Sequence, residues 1–302
     1  MVFLSMALVI VVACLSSKPF IIFLAKKQLQ KVFPESSVSI KYFTWQPAAW
    51  LGFSDINIAR TPIYEIKIQE TGLQFDLLSI FRSIIPRFYI KGLAAKINGV
   101  RLQGGRLALN GTGELFIDQI GYDKATIKEI KSKVRLQSHN LFLDALSAKT
   151  MNGQILGAIS IDLSNAGVYL ARLQCQGIDI ETLVQDFKLE EKFQMTGKLD
   201  GEVLLRGKGT AIEVLKGGLS TAAPGGTLVI KDKTFLENMA HHIQQPLEIV
   251  VESFRDYRYN TGVMRLSLEK ENLVLRAALE GETGKRNLEI IVHNVIFGKG
   301  EQ

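Results

Sequence analysis

The feature that most constrains this chain is an alternation of apolar and polar residues that restarts again and again from Val38 onward. Val38-Ile40-Tyr42, Ile56-Ile58, Tyr64-Ile66-Ile68 and Leu73-Phe75-Leu77 open the series, and Ile90, Ala95-Ile97, Val100-Leu102 and Leu107-Leu109 continue it. Leu141-Leu143, the stretch 155–161, Val168-Leu170, Val203-Leu205 and Leu228-Ile230 follow, then Met264-Leu266-Leu268, Leu273-Leu275 and Leu288-Ile290. Period two sends successive side chains to opposite faces, so each run predicts a strand with one apolar and one wet face. Turns are expected where Gly and Asn cluster, at Asn98-Gly99, Gly104-Gly105, Asn110-Gly111, Asn152-Gly153 and Gly225-Gly226. Helical spacing is rare. Leu77-Leu78-Ile80-Phe81-Ile84 predicts a short helix ended by Pro86, and Ile180-Leu183-Val184-Phe187 another with Asp179 as N-cap. Residues 234–256 predict two helices broken at Pro246, with Ile249, Val250 and Phe254 on one face. A sandwich, a barrel and an elongated open sheet all present one apolar face, so alternation alone does not separate them.

The N-terminus is a different regime. Residues 1–17 carry no charge, Lys18-Pro19 interrupts them, and Phe20 to Ala25 resumes the apolar run. A helix over residues 1–25 would reach about 37 Å, enough to cross a hydrocarbon core with tilt. Val11-Val12-Ala13-Cys14 is also similar to a lipobox, which would make Cys14 a lipidated N-terminus. Both readings tether the chain. Lys26, Lys27, Lys31 and Lys41 follow the run and no basic residue precedes it, which by charge bias alone would put the following domain in the cytoplasm.

Composition narrows the chemistry. Hydrophobic residues make up 47% of the 302, enough apolar material to exclude a disordered chain. Only two cysteines occur, one inside the leader and no CxxC, so neither a disulfide framework nor a cysteine metal site is supported. No phosphate loop, dinucleotide fingerprint or nucleophile elbow is present. His241-His242 are adjacent, which on a helix aims their rings about 100° apart, away from a shared metal. The densest basic stretch, Lys124, Lys128, Lys131, Lys133 and Arg135, is interleaved with aliphatics. Single-strand binding needs exposed aromatic platforms, and none is interleaved there. The expectation is a protein with no catalytic residues, no metal, no cofactor and no nucleic-acid partner.

Two stretches resemble a known family. Val38-Ser-Ile40-Lys-Tyr42, Phe53-Ser-Asp55-Ile56-Asn-Ile58 and Ile66 through Leu78 are similar to the N-terminal module of AsmA-like envelope proteins. There a membrane helix leads into strand pairs and a short helix, here Asp76-Leu77-Leu78-Ser79-Ile80-Phe81; Phe88-Tyr-Ile90-Lys-Gly92-Leu-Ala matches the strand that follows. The second stretch runs from Gly177-Ile-Asp179-Ile180 through Met195-Thr-Gly197 and Gly201 to Gly207-Lys-Gly209. With Pro224-Gly225-Gly226, Phe254-Arg-Asp-Tyr257, Gly262 to Leu268 and Asn287-Leu288-Glu-Ile290, it resembles the C-terminal part of YdbH-type intermembrane phospholipid transport proteins, a TamB-related group. The likeness covers about residues 1–120 and 177–295 and rests on the order of elements.

The resemblance implies an inner-membrane helix and a periplasmic β-rich groove that shields acyl chains between membranes. The fold class expected is therefore mainly β: an N-terminal transmembrane helix, then an elongated, curved antiparallel β-groove with a few short helices. The expected divisions are an anchor over 1–25, an AsmA-like part over 26–176 and a YdbH-type part over 177–302. The expected function is conduction of phospholipid acyl chains along the groove. A structural or assembly factor of the bacterial envelope, using the same surface for protein partners, is the alternative. Partners implied are phospholipids, the inner membrane, and an outer-membrane or periplasmic protein. Ile40, Ile58, Ile66, Ile68, Phe75, Ile90 and Ile97 are the residues expected to line the groove, each holding an apolar phase in its own strand. Shielding costs nothing catalytic: about 0.8 kcal/mol per buried CH₂ is gained from a continuous apolar trough. About 18 strands at about 4.8 Å spacing would make it roughly 85 Å long.

Overall fold

The structure, a computed structural model, describes residues 18–46, 50–74, 87–164, 167–209, 211–270 and 272–292. The expected helix over 77–84 and residues 1–17 of the expected anchor lie outside these. Two compact units divide at Ile120 and Gly121. Among the described residues, six antiparallel strands neighbour one another in the first unit and nine in the second.

The first unit opens with α1 (Lys18–Val32) and continues through β1 (Ser37–Gln46), β2 (Trp50–Arg60), β3 (Tyr64–Gln74), β4 (Arg87–Ile97), β5 (Val100–Asn110) and β6 (Thr112–Tyr122) in chain order. Ile22, Ala25 and Leu29, one helical face at spacings of three and four, pack on a cluster of Ile40, Ile56 and Ile58. The Arg60–Glu35 ion pair and the Phe33–Tyr64 ring contact at 6.1 Å fasten the connection after α1. Residues 18–25 of the expected anchor are thus in a helix that lies on the sheet. Among the described residues no helix is long and apolar enough to cross a membrane.

Alternation slips phase midway along these strands. Ile40 and Phe43 are both buried although three residues apart, and Tyr42, in phase with Ile40 by sequence, is 62% exposed. The slip follows a line of left-handed backbone crossing the sheet. Asp55 has φ 54 and Gly92 φ 63, and both stand opposite Gln69 of β3 by register. A Cβ on Gly92 would meet the end of the Gln69 side chain at 2.3 Å, so a larger residue would have to displace that side chain as well as adopt the left-handed conformation. Gly104, expected in a turn, instead has φ 67 inside β5 and marks a register irregularity opposite β4. The Asn98-Gly99 turn is as expected, with both residues at positive φ. The turn expected at Asn152-Gly153 is displaced by one: Met151 and Asn152 make it, and Gly153 already pairs with Thr150.

The second unit holds β7 (Ala125–Gln137), β8 (Asn140–Thr150), β9 (Gly153–Asp162), β10 (Val168–Asp179), β12 (Lys198–Lys208), β13 (Ala211–Thr221), β16 (Thr261–Glu269), β17 (Asn272–Gly281) and β18 (Gly284–Val292), neighbours in that order. Between these strands the chain inserts a cap. It consists of α2 (Ile180–Asp186), α3 (Lys233–Ile243), α4 (Leu247–Ser253) and a small sheet, β11 (Phe193–Met195), β14 (Gly226–Ile230) and β15 (Tyr257–Tyr259). Val184, Leu228, Leu236, Val250, Phe254, Tyr257 and Tyr259 of the cap share one buried cluster with Leu219, Met264, Ala277 and Leu288 of the large sheet. The Tyr257 hydroxyl donates to the Gly284 carbonyl at 2.7 Å and the Tyr259 hydroxyl to that of Thr196, so both buried phenols have partners. Burial raises both phenol pKa values above the usual range.

The cap helices form as their sequences predict, with one difference. Val250 and Phe254 are buried, but Ile249 is 55% exposed, because a seven-residue helix offers too narrow a stripe to hold neighbours 249 and 250 inward together. Asp179 caps α2, its carboxylate accepting from the Thr182 amide at 2.7 Å and the Thr182 hydroxyl at 2.8 Å. Asp179→Ala should lower stability by about 1 kcal/mol in denaturant unfolding; no shift in midpoint would mean that β10 and the cap fix α2 without it.

Candidate functional site

Residues directly opposite in an antiparallel ladder share a face, so the registers assemble rows that run across strands. In the first unit Val38, Ile58, Ile66, Ala95 and Leu102 stand successively opposite one another, and so do Ile40, Ile56, Ile68, Leu93 and Gly105. Neither row contains a polar side chain. The expected lining residues divide over this geometry. Ile40 and Ile58 are 6% and 2% exposed and belong to the cluster on which α1 packs. Ile66 and Ile68 sit beside them, half-buried, on the next strand. Ile90 lies across the left-handed line, opposite Thr71 and Leu107. Ile97 ends its strand opposite Tyr64 and Val100 and is 37% exposed. Phe75 falls outside the described residues. The fold therefore brings Ile40, Ile58, Ile66 and Ile68 together and sets Ile90 and Ile97 apart.

Longer rows occur in the second unit. Leu146 stands opposite Gly157, Gly157 opposite Leu173, and Leu173 opposite Val203. The same row continues through Gly217, Leu266 and Leu275 to Ile290. Eight strands take part, which at about 4.8 Å per step makes a stripe about 34 Å long. Two residues along each strand on one side runs a parallel row through Ile155, Cys175, Gly201, Leu219, Met264, Ala277 and Leu288. On the other side Leu143, Ile159, Ala171, Leu205 and Leu215 make a third. All three rows are free of charge.

The cap decides which rows stay accessible. Leu219, Met264, Ala277 and Leu288 are inside its cluster, whereas Val203, Leu266, Leu275 and Ile290 only border it and remain half-buried. Leu205 and Leu215 are half-buried and outside that cluster. Gly217 keeps the middle row low: an added Cβ would come 3.2 Å from Leu266 and 3.4 Å from Val203. Burial among these side chains raises the Cys175 thiol pKa. Where the rows end on β18, Leu288 and Ile290 join Phe193, Leu228, Ile230 and Phe235 around a cleft of about 110 Å³. A wider hollow of about 1060 Å³ extends over β9 to β17; Arg172, Glu202, Lys216, Arg265, Glu269 and Arg276, on the alternate positions, line it with Leu173, Val203 and Leu266 between them.

Charges occupy the alternate positions. Arg265 stands opposite Arg276, and Arg276 opposite Glu289. The Arg276 guanidinium donates to Glu289 at 2.8 Å and to Glu269 at 2.7 Å, which holds the Glu269 carboxyl below the usual range with help from Ser267. Arg135 pairs with Asp144 and Lys149 with Glu129 in the same manner. These pairs are exposed and individually worth little; their effect is to keep charge off the apolar rows. Leu173, Val203, Leu205, Leu215, Leu266 and Leu275 were absent from the residues expected to line a groove, although their own alternation is as regular as that of the first unit. What the sequence lacked was the register that aligns them.

A row of apolar side chains crossing strand after strand, with no charge in it and only partly covered by the described residues, suits an extended hydrocarbon better than a compact polar ligand. No significant match occurs among curated proteins or among solved structures. The family model described as YdbH-like, intermembrane phospholipid transport protein YdbH, matches residues 67–286, from within β3 to the start of β18. With most of its length matched in this way, the chain belongs to the YdbH-like family.

Proposed function

We propose that this protein binds phospholipid acyl chains along its uncharged cross-strand rows and conducts them between membranes. The observation that carries the reading is the row from Leu146 to Ile290, apolar or glycine at every strand and only partly covered by the cap. Hydrocarbon in water is stabilised by about 0.8 kcal/mol for each CH₂ buried, so a continuous apolar track suffices and no catalytic group is called for. In the first unit Ile66, Ile68, Ile90, Ile97 and Phe75 would line a stretch of their own, while Ile40 and Ile58 would hold α1. The uncharged leader would tether the chain in the bacterial inner membrane with the described residues in the periplasm, which agrees with the transport role of the family. An outer-membrane or periplasmic protein would then receive the lipid.

Native mass spectrometry of the full chain extracted in mild detergent tests the reading. The expected result is a set of adducts at phospholipid masses that survive detergent removal in the gas phase. A chain that is folded and free of adducts after extraction from lipid-replete membranes would overturn it.

A further inference from the structure

We propose that the outward face of α1 is a docking surface for the headgroup layer of an anionic bilayer. This goes beyond lipid carriage and rests on α1 alone. The helix carries Lys18, Lys26, Lys27 and Lys31 and no acidic residue. Its inward face is already used, with Ile22, Ala25 and Leu29 on the isoleucine cluster. At 100° per residue, Phe23, Leu24, Lys27 and Lys31 gather on the opposite side. Phe23 is 59% and Leu24 44% exposed, and Lys27 and Lys31 are exposed with them.

A helix whose apolar face is satisfied by its own sheet gains nothing in water from a phenylalanine and a leucine on its back. At a membrane interface the same residues have a place. Apolar side chains enter the boundary between headgroups and acyl chains to a depth of about 5–10 Å, and lysines extend alongside to reach phosphate. Among the described residues none of the four lysines is in an ion pair, and Glu35, just beyond the helix, is taken up by Arg60. Lys27 and Lys31, on the outward face, are therefore available to the bilayer. Charge sets the choice of occupant: a protein partner for this face would have to be acidic and apolar at once, whereas an anionic leaflet is both by construction. Docking there would seat the isoleucine rows of the first unit beside the lipids they are proposed to receive.

The test uses the full chain in a Cys14→Ser, Cys175→Ser background, reconstituted into vesicles, with an environment-sensitive fluorophore at Leu24→Cys and a reference at Lys208→Cys. In vesicles of phosphatidylcholine and phosphatidylglycerol, emission at position 24 should shift to the blue and be quenched by lipids spin-labelled near the headgroup. Position 208 should do neither. Lys27→Ala with Lys31→Ala should weaken the docked state about 25-fold, near fivefold for each lysine, and high salt should weaken it in the wild type. Water-like emission at position 24 in both anionic and pure phosphatidylcholine vesicles would overturn the proposal. So would a blue shift that is indifferent to lipid charge and to the lysine pair, which would mean plain insertion of the helix into hydrocarbon, or one present without vesicles, which would mean burial against protein. Circular dichroism verifies that each variant keeps its strands. Phospholipid co-purifying with the same samples is counted separately, so failure of docking and failure of lipid carriage are read apart.

Discussion

Ile58→Asp should unfold the start of the first unit, whereas Ile66→Asp, its direct cross-strand neighbour, should leave the fold standing. Ile58 is 2% exposed, in the cluster on which Ile22, Ala25 and Leu29 of α1 pack. A carboxylate there has no partner among isoleucines and no route to water, a penalty of several kcal/mol added to the lost packing. For a unit of this size the melting temperature should fall by about 10 °C or more. Ile66 stands one strand further from β1 and is only half-buried, so a carboxylate at that position can stay hydrated. Its effect should appear in the phospholipid that co-purifies. Thermal unfolding followed by circular dichroism, with lipid phosphorus measured on the same preparations, separates the two. Equal melting temperatures would mean that α1 does not seal Ile58 from water.

A second pair sits two residues apart on β16. Met264→Asp should destabilise the cap by several kcal/mol, because Met264 is 3% exposed inside the cluster that holds the cap helices to the sheet. Leu266→Asp should cost far less stability and remove most of the bound phospholipid. Leu266 is half-buried in the middle row and opposite Gly217, so the charge interrupts the apolar track where it is uncovered. If Leu266→Asp unfolds the unit as thoroughly as Met264→Asp, the row is a packed core, and the face serves the chain's own folding or an assembly partner.

Arg276 shows why the two faces stay distinct. Its guanidinium is shared between Glu269 and Glu289 on neighbouring strands, an arrangement that needs both carboxylates on the face opposite Leu266 and Leu275. A register slip of one residue would carry Arg276 into the apolar row and strand both glutamates. The charges thus add little stability and considerable specificity of pairing.

Much of this was legible in the sequence alone. Period-two alternation is local, so β1 to β5, β8 to β10, β12, β14 and β16 to β18 could be placed approximately from neighbours two residues apart, while β6, β7, β11, β13 and β15 were not read. The Asp179 cap and the break at Pro246 were legible for the same reason. The order of glycine-spaced elements also pointed to the family that the match over residues 67–286 establishes. Phase and cover were decided only by tertiary structure. Nothing local announces that Asp55 adopts a left-handed conformation and that alternation slips beside it, so Tyr42 rather than Phe43 looked like the partner of Ile40. Nor does alternation tell a row under a cap from a row left open. Met264 and Leu266 carry the same signal, and only the packing of the cap, which encloses the first and merely borders the second, makes one a core residue and the other a candidate lipid contact. The same holds for Ile58 and Ile66, which differ only in what α1 reaches. A strand's apolar face is written in its own residues, but what lies across from that face depends on elements distant in the chain, and only folding brings them there.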